Sequence, residues 1–489
     1  MRNGALIISL IWMLQTACSV SEQSFTVGQK YAPETLKKDL FVMEKILRKN
    51  HPSLFWYATP GEIDSAFRLA HQSVSDSMTQ DQFRVVLSKV VDPIRCGHTS
   101  IRFSRAYSRE LVNNRKQTFP LNIKITDDSS FILLANLHRR DSVLRRGMIL
   151  TAINGMSSQS IVDSLRVLVQ MDGYSKNFSL QNLSNNFPFY YNIRFGLKDR
   201  YTIDYIDEAG NRLQTTIPVY DYATDTVKIK TLILATPKQI RKNRKSSVRK
   251  LNIDSSGTFA ILTINDFSHK LKARFFHQTF SELRKRNVQH LILDIRNNGG
   301  GLIQRSLLLS RYIHQKPFRF IDSITAPRRS VTSIAYIQKG LIYKTAMFFM
   351  SKREQKGQYS FKAFQSRIKQ PKKNYFKGQS YILTGGFTFS AATLFAAGVK
   401  GLDHVTIVGE ETGGGYYGNN GVFIPDIILP HTQMRVRLPL YRIVNNKNFP
   451  KDGRGVLPDV EVKADVHSIR KNQDPKLDKA LEIIRTRLR

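Results

Sequence analysis

Cysteine is almost missing from this sequence: 489 residues hold two, Cys18 and Cys96. A disulfide-stapled scaffold is therefore excluded. Along the chain no His/Cys/Asp grouping has metal-ligand spacing, so neither a metal nor another cofactor is expected. Beyond the first residues no stretch approaches eighteen uninterrupted apolar residues, which excludes a later helical membrane span. Acidic residues are scarce, 38 against 75 basic, for a formal charge of +37. That balance suggests nucleic acid, but zinc-finger, helix-turn-helix and RNP patterns are all lacking. The basic residues are scattered apart from 238–250 (KQIRKNRKSSVRK) and 352–377. No nucleic-acid partner is expected; attraction to an anionic membrane surface or acidic polymers, or a merely solvated basic face, fits better.

The remaining composition is globular, 41% apolar with 10% aromatic residues. At this length two to four domains are expected. Arg2 and the apolar run 5–14 read as a signal peptide, residues 1–17, too short to span a bilayer. Leu14-Gln15-Thr16-Ala17-Cys18 resembles a bacterial lipoprotein cleavage site, although the leucine sits one place early. Cys18 is then the lipidated N-terminus, and the expected location is the bacterial cell envelope, lipid-anchored, periplasmic or surface-exposed. Ordinary secretion is the alternative. Cys96, left alone, reads as a small buried apolar residue.

Residues 25–104 read as an N-terminal helical domain. Leu36, Leu40, Met43, Ile46 and Leu47 recur with helical period, and two later helices open on Thr59 and Thr79. Residues 117–220 change to short alternating strands, with a turn at Asn154-Gly155 and a helix near Ser158. This β-rich segment resembles a PDZ-like domain, whose usual work is to take an extended peptide onto a strand edge. A basic linker, 236–252, leads to strands alternating with helices over 253–465, the pattern of a mostly parallel sheet. Within it, 314–376 is poorly periodic and reads as an insertion; 466–489 reads as a C-terminal helix.

Two stretches of this last region carry chemistry. In LILDIRNNGGG (291–301) a buried strand runs into three glycines, which lets backbone amides approach an anion. The spacing is neither a dinucleotide fingerprint nor a P-loop, which leaves a phosphate cradle or an oxyanion hole. In YILTGGFTFSAATLFAAG (381–398) Ser390 sits at a strand-to-helix turn. It is either an N-cap, needing only its hydroxyl and the following amides, or a nucleophile.

Four motifs in order, Asp294-Ile295-Arg296-Asn297-Asn298-Gly299-Gly300-Gly301, Thr388-Phe389-Ser390-Ala391-Ala392, Val408-Gly409-Glu410-Glu411-Thr412-Gly413 and Gly455-Val456-Leu457-Pro458-Asp459-Val460-Glu461-Val462, resemble those of the C-terminal processing peptidases and their tricorn-core relatives. The resemblance runs from about residue 34 to 463. It implies a multidomain α/β protein: an N-terminal helical region, an inserted PDZ-like domain and a crotonase-like α/β catalytic core. It also implies a serine-type peptidase with Ser390 as nucleophile and the amides of Gly300 and Ala391 as oxyanion donors, Gly299 and Gly301 being able to exchange roles.

The processing peptidases take their base from a lysine, and Gly415 stands in that place. Tricorn-type relatives use a histidine ahead of the PDZ domain and an acid before the last motif, which fall at His98 and Asp452. Aspartate is shorter than the usual glutamate there, and Asp452-Gly453 is also a natural turn. Glu410 and Glu411 are rival acids, and His51 reads as a helix-end residue. The implied function is an exported serine endopeptidase that cleaves unfolded or tail-exposed polypeptides by acyl-enzyme chemistry. The alternative is an inactive peptidase fold that binds peptides or acidic polymers at the envelope.

Overall fold

The computed structural model describes residues 26, 28–113, 117–224, 248–354, 357–361 and 367–488. The expected leader, the acceptor Cys18 and linker residues 236–247 lie outside the described residues. Linker residues 249–252 belong instead to a strand, Arg249–Ile253. Among the described residues no helix is long and apolar enough to cross a membrane. The architecture is mixed α/β and multidomain.

Three helices, Pro33–Asn50, Pro60–Ser73 and Gln80–Val91, begin the described fold. The second and third start where the sequence puts them. Thr59 and Glu62, and likewise Thr79 and Gln82, exchange side-chain and backbone hydrogen bonds as capping boxes. Their apolar faces share one core with Phe320, Ile324, Val436 and Tyr441, far along the chain. The register is fixed by the strand Ile101–Arg102, which pairs antiparallel with Arg435–Arg437. Helix packing and strand pairing thus dock residues 33–102 onto elements between 320 and 443.

The β-rich region is an antiparallel sheet of Leu121–Ile125, Phe131–Asn136, Ile149–Ile153, Arg200–Ile206 and Arg212–Pro218 in that order. The Asn154-Gly155 pair has φ of +50° and +76° and turns Ile149–Ile153 back onto Met156–Ser157. Positive φ at both positions is what asparagine and glycine tolerate in a two-residue hairpin. Beyond the helix Ser158–Arg166, two helices that the sequence reading did not anticipate follow, Lys176–Asn185 and Phe187–Phe195.

The core sheet has Arg249–Ile253 antiparallel against Phe259–Ile264. His290–Asp294, Gln379–Thr384, Val405–Gly409 and Val460–Glu461 then follow in parallel. His290–Asp294 is buried along its length because both sheet faces are covered. Leu291 and Leu293 join one apolar cluster with the helices Ala273–Lys285, Ile303–Ile313 and Ala391–Val399. Ile292, alternating to the other face, packs with Ala480 and Ile484 of the helix Pro475–Leu488. The C-terminal segment is two helices, the shorter being Val466–Arg470.

The stretch 314–376 is more than an insertion. Its strands Ser323–Ala326, Ser351–Arg353 and Tyr359–Phe361 build a five-stranded sheet with Gly418–Gly421 and Tyr441–Val444. Three or four residues per strand are too few to show a period of two.

Candidate active site

Ser390 is held by a bracket of buried polar groups at the C-terminal end of the core sheet. Thr388 Oγ1 donates to the Ile295 carbonyl at 3.0 Å and accepts from the Gly385 amide at 3.1 Å. Asn298, fully buried, uses its backbone carbonyl for the Phe389 amide at 3.0 Å, its Nδ2 for the Ile264 carbonyl at 3.0 Å and its Oδ1 for the Gly300 amide at 2.9 Å. The two glycine-containing motifs are therefore one structural unit.

Within that unit Ser390 has φ +53° and ψ −122°, a region that non-glycine residues avoid. It stands at the N-cap of Ala391–Val399, yet its side chain makes no capping hydrogen bond. The capping alternative fails on that observation. The hydroxyl instead meets the imidazole of His98, with Nε2 and Oγ 3.0 Å apart.

His98 arrives from the N-terminal region through a short chain of constraints. Arg95 takes a left-handed conformation, φ +53°, at the end of a turn of 3-10 helix, and the Thr99 amide closes a turn onto the Cys96 carbonyl at 2.9 Å. The ring stacks on Phe389, centroids 4.7 Å apart, and Phe389 stacks in turn on Phe178 of the β-rich region. Gly97 permits this approach, because a Cβ there would stand 2.7 Å from the Phe389 ring. Burial, assisted by the Arg437 charge, lowers the His98 pKa to about 3 and keeps the ring neutral.

The acid facing His98 is Asp172, in the segment between Ser158–Arg166 and Lys176–Asn185. Its Oδ1 lies 4.0 Å from His98 Nδ1 and accepts the Gly97 amide at 2.7 Å. Burial raises its pKa to about 7, and backbone hydrogen bonds from Gly97 and Gly415 pull it back. The sequence reading did not single out this residue.

Asp452, the acid expected from the family pattern, is exposed, and its Oδ1 accepts the Arg454 amide at 2.9 Å. It is the turn residue of an Asp-Gly pair, and its carboxylate is spent on that turn. Its neighbour Gly453 nevertheless presses on the Asp172 segment: a Cβ on Gly173 would lie 2.3 Å from the Gly453 carbonyl oxygen. The rival acids are committed elsewhere. Glu411 receives both Nε and Nη2 of Arg454, and Glu410 pairs with Lys476.

Gly300 and Ala391 also fare differently from the expectation. Gly300, φ +100°, backs directly on Ser390, and a Cβ there would stand 2.7 Å from its Cβ. Its amide, however, is committed to Asn298 Oδ1. Ala391 opens its helix, where amides have no intrahelical acceptor, so its amide is the better placed of the two donors.

No lysine fits where the processing peptidases carry one. A Cβ on Gly415 would lie 2.4 Å from the Gly418 carbonyl oxygen. His51, the other histidine weighed, ends the first helix and shares a 2.8 Å contact between Nε2 and Thr99 Oγ1, so it is structural. Cys96 is buried, its Sγ accepting from Asn420 Nδ2 at 3.2 Å. The fold nevertheless gathers Cys96, His98 and Asp172 so that their ligand-type atoms lie within 4.8 Å of one another, a grouping that linear spacing does not reveal.

Residues 258–462 match the profile of Peptidase family S41. Among solved structures, mature CPAF superposes with a TM-score of 0.61 at 15% identity, over 92% of this chain and 96% of that one. Mature CPAF complexed with lactacystin gives 0.62 at 14% identity, over 92% and 98%. At such identities the likeness concerns the fold. No curated protein matches the sequence. A strained serine against a buried neutral histidine therefore lies on a core that matches a serine-peptidase family profile, which supports a serine-type peptidase.

Proposed function

We propose that the chain is an endopeptidase acting on unfolded or tail-exposed polypeptides through an acyl-enzyme, with Ser390 as nucleophile, His98 as general base and Asp172 as the orienting carboxylate. The observation that carries this reading is the Ser390 hydroxyl: strained, excused from capping and 3.0 Å from the His98 ring. His98 Nε2 takes the hydroxyl proton as Oγ attacks the scissile carbonyl, and returns it to the departing amine. A water activated by the same nitrogen then frees the acyl group. Asp172 holds the ring and balances the charge it gains; such contacts are often long without substrate and tighten with it.

The preference for extended chains rests on the antiparallel sheet beside the site, whose edge suits strand addition. Export and attachment through a lipid on Cys18 rest on the leader and on Thr16-Ala17-Cys18. A serine-directed fluorophosphonate probe tests the chemistry. Labelling at Ser390, lost in Ser390→Ala and strongly reduced in His98→Ala, accompanied by cleavage of a permanently unfolded protein, is the expected result. No labelling of the folded protein would leave a peptide-binding scaffold instead.

A further inference from the structure

The geometry points to a zinc-type site made of Cys96 Sγ, His98 Nδ1 and the Asp172 carboxylate, whose occupation switches the peptidase off. Three observations carry it. The candidate ligand atoms already lie within 4.8 Å of one another. In a tetrahedral zinc site, bonds of about 2.0–2.3 Å put ligand atoms roughly 3.3–3.8 Å apart, so a contraction of about 1 Å completes the set. The three residues are almost wholly buried, at 1%, 4% and 4% exposure.

The third observation concerns unmet valence. His98 Nδ1 and Asp172 Oδ2 are buried polar atoms without a hydrogen-bond partner. Such atoms are costly to leave bare, and both belong to residues that the fold gathers with the Cys96 sulfur. Thiolate, neutral imidazole and carboxylate suit zinc, and the two negative charges balance the ion, so the buried cluster closes neutral. On binding, the thiol proton passes to solvent.

Zinc held on Nδ1 would take the ring edge that Asp172 serves and would draw electron density from Nε2. The base would then be oriented and electronically wrong for accepting the Ser390 proton. The inhibition, though not the site, rests on His98 acting as that base. Cys96 belongs to the metal set but not to the proton path, and this separates the two roles.

The test uses the folded, purified protein with zinc and cobalt ions as probes. Cleavage by the unmodified protein should be inhibited by buffered zinc. Cys96→Ala and the space-filling Cys96→Ser should cleave within about twofold of it in metal-free buffer and need at least tenfold more zinc for the same inhibition. Cobalt should give a near-ultraviolet thiolate charge-transfer band at one ion per chain. That band should be retained in Ser390→Ala, where no activity is needed, and absent in both Cys96 variants. Equal zinc sensitivity of the Cys96 variants, or no cobalt–thiolate band in the unmodified protein, would overturn the site. A band in the unmodified protein, should that protein show no peptidase activity, would sustain the site and instead defeat the catalytic reading.

Discussion

Asp172 and His98 face each other across two regions of the chain, Oδ1 and Nδ1 4.0 Å apart, while that same oxygen holds the Gly97 amide at 2.7 Å. One carboxylate thus anchors the loop that presents the histidine and faces the ring without a hydrogen bond to it. Replacing Asp172 by Asn should cut kcat on the order of 10³–10⁴-fold, the scale seen when a triad acid is lost. Asp452→Asn should leave kcat within about twofold, because the Asp452 carboxylate only caps its own turn. Steady-state cleavage of an unfolded protein by the two variants checks this, and the reverse ranking would restore Asp452 as the acid.

The pH profile should report Asp172 rather than the imidazole. Burial lowers His98 to about 3, so the ring is neutral throughout the working range. Burial raises Asp172 to about 7, so its charge is present above that pH and lost below it. Only the charged carboxylate balances the imidazolium formed in the transition state. We expect kcat/KM to fall as pH drops through about 7, and the profile of Asp172→Asn to be low and flat over the same range. A limb near the ordinary histidine value of 6.5 that survives in Asp172→Asn would assign the titration to His98 itself.

Two glycines should resist substitution for different reasons. Gly300→Ala places a methyl group 2.7 Å from Ser390 Cβ at φ +100°, so the loop must shift. Turnover should drop by about 100-fold or more, the scale of a reacting group misplaced by about 1 Å, with KM less affected. Gly415→Lys would mimic the residue type of the processing peptidases but drives its Cβ into the Gly418 carbonyl. It should lower the melting temperature without restoring activity to His98→Ala; rescue of that variant would show that a lysine base can be housed here.

Arg296 braces the glycine loop against the C-terminal segment. It binds Asp294 through Nε and Nη2 at 2.9 and 2.8 Å, and Asp474 through Nη1 and Nη2 at 2.5 and 2.8 Å. Arg296→Ala strands Asp294, which is largely buried, but the Asp474 side chain is 39% exposed. The cost should therefore be about 2–3 kcal/mol, below that of breaking a fully buried pair. A denaturant midpoint lowered accordingly, at unchanged slope, is the expected outcome; an unmoved midpoint would make the brace ornamental.

The strand-to-helix serine, the glycine loop and the capped helices were legible because each is local: a few adjacent residues dictate the geometry. The capping boxes at Thr59 and Thr79 and the Asn154-Gly155 turn are of that kind. The carboxylate that faces His98 was not legible. Asp172-Gly173 and Asp452-Gly453 look alike in the sequence, and only packing decides that the first is buried against a histidine and the second left in solvent. Asn298 was hidden for a similar reason: its three roles involve residues 264, 300 and 389, which only the folded sheet brings together. The strands of 323–361 are too short to announce themselves, and their partners lie near 420 and 440.

Ser390, His98 and Asp172 lie beside Ala391, Cys96 and Val169, which pack in three different apolar clusters, and the serine and histidine alone are 292 residues apart in sequence. Closing loops of that length carries an entropy cost that must be met before the contacts repay it, so local helices and hairpins are expected ahead of this convergence. The cluster that holds Cys96 also needs Ile324, Val436 and Tyr441, so it consolidates with the convergence rather than before it. Peptide-bond cleavage is thereby withheld from a half-folded chain, whose own extended segments would otherwise be the nearest substrate.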